Sequence, residues 1–209
     1  MPESLSPAAA GFGLGIALAS APGPVQAVLM GEAIRGGVAR GFRAMAGAAV
    51  TFASLLVLLA LGLSVATPSG AMLRGLKIAG GLLLLWLAVD GFRTAGRVGT
   101  DAEPSRRREL PPAVRGVLAI LLNPGAWLFL AAVASPLFAE ATASAGRAGA
   151  LLAAAALVVG LAMGDGTVVL IGGLGVRRAG EGAERWVARG LAVVLAGLGG
   201  WLLIGGVGS

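Results

Sequence analysis

The sequence predicts an all-α integral membrane protein with six transmembrane helices, arranged as a 3+3 inverted repeat with broken first and fourth helices. Three observations carry this prediction. The chain of 209 residues is 57% hydrophobic and only 12% charged, whereas soluble domains carry about 25% charged residues. Its apolar runs are continuous over the roughly 20 residues that cross a bilayer as a helix. Finally, the first apolar run of each half is interrupted by proline and glycine.

Six apolar runs are separated by turn-forming or charged segments. They extend over about Ala8–Ile34, Ala44–Ala66, Ala71–Phe92, Gly116–Ser135, Ala148–Val176 and Gly190–Val207. Residues 1–209 are therefore expected to form a single transmembrane domain, with half-repeats 8–93 and 116–207 joined by a cytoplasmic loop, 94–115. Residues 1–11 contain no lysine or arginine, so a cleavable signal peptide is not expected at this end.

The first run is interrupted by Ala21-Pro22-Gly23-Pro24. Each proline lacks a backbone N–H and clashes with the preceding turn, so a regular helix cannot continue through this segment. In lipid, the carbonyl groups freed by such a break need a cavity or packed protein around them. The segment therefore predicts an interrupted helix whose broken part faces the protein interior.

The fourth run contains a second interruption, Leu122-Asn123-Pro124-Gly125-Ala126. Interruptions in corresponding helices of two halves point to an inverted-repeat transporter with its substrate site near the middle of the membrane. The alternative is a pair of ordinary proline kinks that only help the helices to pack. The substrate-binding residues expected from the two breaks are Pro22, Gly23, Pro24, Gln26, Asn123 and Pro124.

The basic residues predict the orientation. Of the 16 lysines and arginines, 13 fall in the first, third and fifth predicted loops. The positive-inside rule puts those loops in the cytoplasm and both termini outside. The net charge of +6 is then explained by topology, and nucleic-acid binding is not expected.

Asp165 is the only charged residue between Val158 and Ile171 in the fifth run. An ionisable group at such depth costs roughly 2.5–3.5 kcal/mol on insertion scales, and residues of this kind usually serve transport. Asp165 could carry a coupling proton, or it could neutralise the ammonium group of a substrate. The alternative is a protonated side chain that only holds two helices together.

The two breaks supply complementary chemistry. The N-terminus of a restarted helix presents N–H groups that suit a carboxylate, and carbonyls before the break can accept from an ammonium group. Gln26 and Asn123 could bind substrate, or they could equally satisfy backbone groups freed by the prolines. Glu32 and Asp90, near the cytoplasmic ends of runs one and three, are expected to pair with nearby arginines.

Residue types that are missing narrow the function. Without cysteine or histidine, neither thiol chemistry nor a metal site built on these ligands is available, so no cofactor, no metal and no enzyme activity are expected. The expected partners are the lipid bilayer and a small-molecule substrate, with a homo-oligomer left open. Two functions compete with export of a substrate that carries both a carboxylate and an ammonium group. They are efflux of a metal ion or another non-amino-acid substrate, and a non-transporting scaffold.

The order of these motifs resembles the LysE/RhtB family of bacterial amino-acid exporters over nearly the whole chain. The similar segments are Ala21–Pro24, Gly31–Gly47, Leu76–Gly81 with Trp86-Leu87 and Phe92-Arg93, Asn123–Phe129, and Asp165. Gly125 departs from the lysine that members often have there, and Leu85-Trp86 replaces a common Ala-Tyr pair. The resemblance implies an exporter in the bacterial cytoplasmic membrane that moves amino acids or similar metabolites and uses the proton motive force.

Overall fold

The computed structural model describes residues 6–21, 23–63, 69–95, 110–176 and 178–207. This part of the chain is helical throughout. The helices are α1 (Pro7–Ser20), α2 (Pro24–Gly36), α3 (Val38–Ala60), α4 (Gly70–Ala95), α5 (Pro112–Leu121), α6 (Pro124–Phe129), α7 (Ser135–Leu170) and α8 (Glu181–Val207). Two π-helical segments, Leu130–Ala134 and Ile171–Val176, flank α7.

Within the described residues, four helical stretches are long and apolar enough to cross a membrane: Val38–Ala60, Gly70–Arg93, Pro124–Val176 and Arg185–Val207. Helices α1 and α2 make a fifth candidate if they count as one span, and they are bent by 65° relative to each other. The protein is therefore a multi-pass membrane protein with four or five candidate spans by length and composition.

The 53-residue stretch from Pro124 to Val176 is interrupted inside α7. Ala145 and Gly146 have non-helical backbone angles, and Gly146 has φ = +66°. That value lies in the left-handed region, where glycine is favoured because it lacks a Cβ atom. The chain therefore changes direction at Gly146, near the connection expected between the fourth and fifth runs.

Several helix ends differ from the sequence prediction. Gly37 alone, with φ = +80°, joins α2 to α3, so Arg40 and Arg43 lie on a helix and not in a loop. Helix α8 likewise begins at Glu181, within the segment expected to be a charged loop. The reason is that polar residues at a membrane surface can continue the hydrogen-bonded helix, which apolar composition alone does not reveal. The turn expected at Thr67-Pro68 lies outside the described residues.

Helices α1 and α7 approach each other through glycines. Gly11 and Gly15 lie directly against the backbone of Ala153 and Leu157, and Gly160 lies against the carbonyl oxygen of Phe12. A Cβ atom at any of these glycines would collide with the facing backbone. Small residues permit such close contact between membrane helices, and this packing brings Asp165 to the level at which α1 ends.

The same kind of contact joins the other helices. Gly47 of α3 lies against the backbone of Ala113, and Gly116 of α5 lies against the backbone of Ala44. Between α4 and α8 the contact is reciprocal: a Cβ on Gly81 would lie 2.8 Å from the Gly199 carbonyl oxygen, and one on Gly199 would lie 2.9 Å from that of Gly81.

The buried core includes residues of α2, α3, α7 and the π-helical segment Leu130–Ala134. Its fully buried side chains include Leu29, Phe52, Leu56, Leu130 and Leu157. The outer faces carry large apolar side chains, with Trp201 71% and Ile204 77% exposed. An apolar outer surface around a small-residue interior is the pattern expected of helices that contact lipid.

Candidate functional site

The first break separates α1 from α2. Helix α1 ends at Ser20, whose hydroxyl donates to the Ile16 carbonyl at 2.8 Å. Helix α2 restarts at Pro24 after Gly23, which has an extended backbone and provides no side-chain cap. The first turn of α2 therefore begins without a capping side chain. Pro22 lies outside the described residues.

The second break separates α5 from α6 and is capped differently. The Asn123 side-chain oxygen accepts from the Gly125 N–H at 3.0 Å. The Trp127 indole N–H donates to the Leu121 carbonyl at 2.9 Å. Asn123 thus satisfies a backbone N–H, whereas Trp127 satisfies a carbonyl freed by the break.

Asp165 lies on α7 and is only 4% exposed. The Gln26 side-chain amide donates to its Oδ1 atom over 3.5 Å. Gly164, one residue earlier, lies directly against the Cβ of Ala19 near the end of α1. The buried carboxylate is therefore held beside the first break by both a side-chain contact and close helix packing.

The two breaks and Asp165 line one cavity of about 230 Å³. Gly23, Pro24 and Gln26 come from the first break, and Asn123 and Gly125 come from the second. Phe52 of α3, which sequence reasoning did not single out, closes one wall, and its ring centroid is 6.0 Å from that of Phe129. In the sequence it is one large apolar residue among several in this helix, so no local signal marked it as part of a site.

Pro124 does not line this cavity. It lines an adjoining one of about 270 Å³ that also includes Pro24, Asn123 and Lys77. Lys77 donates from Nζ to the Gly205 carbonyl at 3.2 Å. The breaks thus separate two cavities: one contains the buried acid, and the other is bordered by a lysine.

A cluster of charged side chains lies at the opposite end of α2. Glu32, 2% exposed, accepts from Arg40 Nε at 2.7 Å and from Arg115 Nη1 at 2.9 Å. Asp90 Oδ2 lies 2.6 Å from Arg35 Nη1 and 2.9 Å from Arg115 Nη1. These five residues, named here the inner cluster, connect α2, α3 and α4 to the N-terminal turn of α5.

The sequence indicated ion pairs for Glu32 and Asp90, and the structure contains them. It did not indicate that Glu32 and Arg115 are buried, or that Arg40 takes part. The i,i+8 spacing of Glu32 and Arg40 carries no signal, because only the turn at Gly37 brings the two side chains together. No group of three His, Cys, Asp or Glu residues suited to a metal ion occurs in the part of the chain that is described.

A bundle of apolar helices with two interrupted segments beside a cavity is the arrangement expected of a membrane transporter. The sequence model of the LysE type translocator family matches residues 16–206. The chain therefore belongs to this family, whose members are small-molecule exporters and not enzymes. Comparison with curated proteins and with solved structures found no match.

Proposed function

We propose that this translocator is a secondary active exporter of amino acids or closely related small metabolites, driven by the proton motive force across the bacterial cytoplasmic membrane. The observation that supports this proposal best is the cavity in which Gln26, Asn123 and Asp165 meet. Protein cavities of about 150 Å³ admit benzene, so a volume of about 230 Å³ suits a small amino acid.

The polar groups around this cavity match the two charges of a zwitterion. The uncapped first turn of α2 presents N–H groups and the positive end of the helix dipole, which favour a carboxylate. Asp165 offers a negative charge for the ammonium group. The corresponding N–H of Gly125 at the second break is already occupied by Asn123, so the carboxylate is assigned to α2.

Asp165 is also the proposed proton carrier. It lies inside a membrane-spanning segment, and a carboxyl group there can alternate between a neutral and an ionised form as its surroundings change. Substrate ammonium and proton would then compete for the same carboxylate. Release of substrate to the outside would follow protonation of Asp165, which couples inward proton movement to export.

We further propose six spans in a 3+3 inverted repeat. A helix rises about 1.5 Å per residue, so 53 residues from Pro124 to Val176 would measure about 80 Å unbroken, far more than the roughly 30 Å hydrocarbon core. The turn at Gly146 supports two crossings. In such a repeat α1 corresponds to α5, α3 to α7 and α4 to α8. The α1–α7 contact then has its counterpart in the α3–α5 contact, and the reciprocal Gly81–Gly199 contact between α4 and α8 is its own counterpart.

The orientation proposed is loops one, three and five in the cytoplasm and both termini outside. The inner cluster gathers Arg35, Arg40 and Arg115 at one end of the bundle. Arg74 donates to the Gly206 carbonyl at the other end. The concentration of arginines at the first end supports its placement on the cytoplasmic side.

The function is tested with proteoliposomes loaded with a panel of amino acids, across which a proton gradient is imposed. We expect gradient-dependent flux of at least one amino acid, abolished by a protonophore. The absence of such flux for every member, from protein with an intact helical circular-dichroism spectrum, would contradict the proposal.

A further inference from the structure

The Arg115 guanidinium is buried and only partly hydrogen-bonded within the described part of the chain. The side chain is 1% exposed. Its Nε donates to the Leu110 carbonyl at 3.2 Å, and Nη1 contacts both Glu32 and Asp90 at 2.9 Å. Nη2 is buried and has no acceptor among the described residues. Leaving a buried charged donor without an acceptor is costly, so this edge is suited to bind a further acceptor.

A cavity adjoins this guanidinium. It measures about 40 Å³ and lies between α2, α4, α5 and α8. Apart from Arg115, Glu32 and Arg35, its walls are apolar, formed by residues that include Val28, Leu87, Leu191 and Leu195. A single water needs a cavity of roughly 10–15 Å³, so this cavity accommodates a group of a few heavy atoms and not a whole amino acid.

The local charge favours an anion there. Among the described residues the inner cluster contains three arginines and two carboxylates. A carboxylate is planar and matches the fork of a guanidinium, and the apolar walls suit the carbon atoms behind it. A substrate ammonium would instead face the positive charge of Arg115.

We propose that Arg115 forms a carboxylate subsite at the cytoplasmic end of the transport path, where the carboxylate of an entering substrate docks before it reaches the Asp165 cavity. The cavity that contains Asp165 and the cavity beside Arg115 follow one another along α2. Val25 and Gln26 line the Asp165 cavity, and Ala27 and Val28 line the cavity beside Arg115. Glu32 lies six residues beyond Gln26, about 9 Å along the helix.

Because it rests on the proposed transport of a zwitterion, the subsite is tested without transport. The guanidinium carbon of Arg115 lies 5.2 Å from the centre of the Trp86 ring, so an anion at Arg115 should change Trp86 fluorescence. The protein is Trp186→Phe/Trp201→Phe, in which the two most exposed tryptophans are removed. It is titrated in detergent with propionate, propionamide and chloride, and loss of the signal in Trp86→Phe locates the response.

We expect a saturable response to propionate, none to propionamide, and a much weaker one to chloride. Arg115→Lys keeps the charge but loses the fork, and should weaken propionate binding about tenfold or more, the loss expected for one charge-assisted hydrogen bond. The exposed Arg147→Lys is the matched control and should bind as the parent does. If Arg115→Lys does not fold, Ala188→Leu, which fills the cavity and leaves the charges in place, should abolish the response.

The absence of a propionate response in folded parent protein would overturn the subsite, as would an equal response to chloride or to propionamide. Amino-acid flux without a propionate response would contradict only the subsite. A propionate response without amino-acid flux would contradict only the proposed export.

Discussion

The Gln26 side-chain amide donates to Oδ1 of Asp165 over 3.5 Å, between residues 139 positions apart in the chain. This hydrogen bond joins the turn that restarts the first broken helix to the one buried acid of α7. Any substrate that neutralises Asp165 would compete with Gln26, so binding and the geometry of the break are physically connected.

Replacing Asp165 with Asn should abolish gradient-driven transport, because the amide preserves shape and hydrogen bonding but cannot exchange a proton. We expect at least about a hundredfold loss of gradient-driven flux, with residual exchange that no longer responds to the gradient. A hundredfold loss corresponds to an increase of about 3 kcal/mol in the activation free energy of the coupled step. Flux in proteoliposomes, with and without an imposed gradient, measures it.

Thr167→Val is the matched control on the same helix, since Thr167 is exposed and its hydroxyl donates to the Met163 carbonyl of its own helix at 2.9 Å. It should transport normally. Unchanged gradient dependence in Asp165→Asn would remove Asp165 from its proposed coupling role.

The packing of α1 against α7 should tolerate no side chain at Gly15. A Cβ there would meet the backbone of Leu157, whereas one at Gly13 would meet nothing within 4 Å. We expect Gly15→Leu to lower the unfolding free energy by about 1–3 kcal/mol or more through overpacking, and Gly13→Leu to change it by less than about 0.5 kcal/mol. Thermal denaturation in detergent compares the two; equal melting temperatures would contradict the α1–α7 contact.

Removing the negative charge of Glu32 should strongly destabilise the protein. Arg40 and Arg115 would then lose a buried carboxylate partner, and breaking one side of a buried ion pair typically costs about 3–5 kcal/mol. Chemical denaturation of Glu32→Gln in micelles measures this change. Glu140→Gln, at an exposed glutamate, should fall within about 0.5 kcal/mol of the parent. A Glu32→Gln protein as stable as Glu140→Gln would show that the inner cluster does not hold the helices together.

The six-span topology is testable because the chain contains no native cysteine. Ser144→Cys and Arg178→Cys, both at exposed positions, lie on either side of the proposed fifth span. A membrane-impermeant maleimide should label Cys at 144 in intact cells and Cys at 178 only after permeabilisation. Labelling of both from the same side would show that no span separates them, and the 3+3 arrangement would fail.

The sequence alone predicted the helical membrane fold, both breaks and the buried Asp165, because each leaves a local signal in composition. Proline and glycine break helices wherever they occur, and an acid in an apolar run stands out. The one-residue turn that joins α2 to α3 at Gly37 could not be predicted in this way, since a single glycine with φ = +80° looks like any other glycine in the sequence.

The burial of Arg115 could not be predicted either. In the sequence it is one more basic residue at the end of a loop that is predicted to be cytoplasmic. Its partners Glu32 and Asp90 lie 83 and 25 positions away, and only the packing of α2, α4 and α5 brings them together. Burial of a charge depends on tertiary contacts, which the positive-inside pattern does not report.

The cavity between the two breaks is the central claim, and protection of a cysteine within it tests that claim most directly. Ala49→Cys introduces a thiol on its wall, and Ser69→Cys introduces one at an exposed position on the other end of α4 from the inner cluster. An amino acid that the purified protein transports should slow maleimide labelling at position 49 at saturating concentration by about tenfold and leave position 69 unchanged. Equal labelling rates at position 49 with and without a transported amino acid would contradict the site.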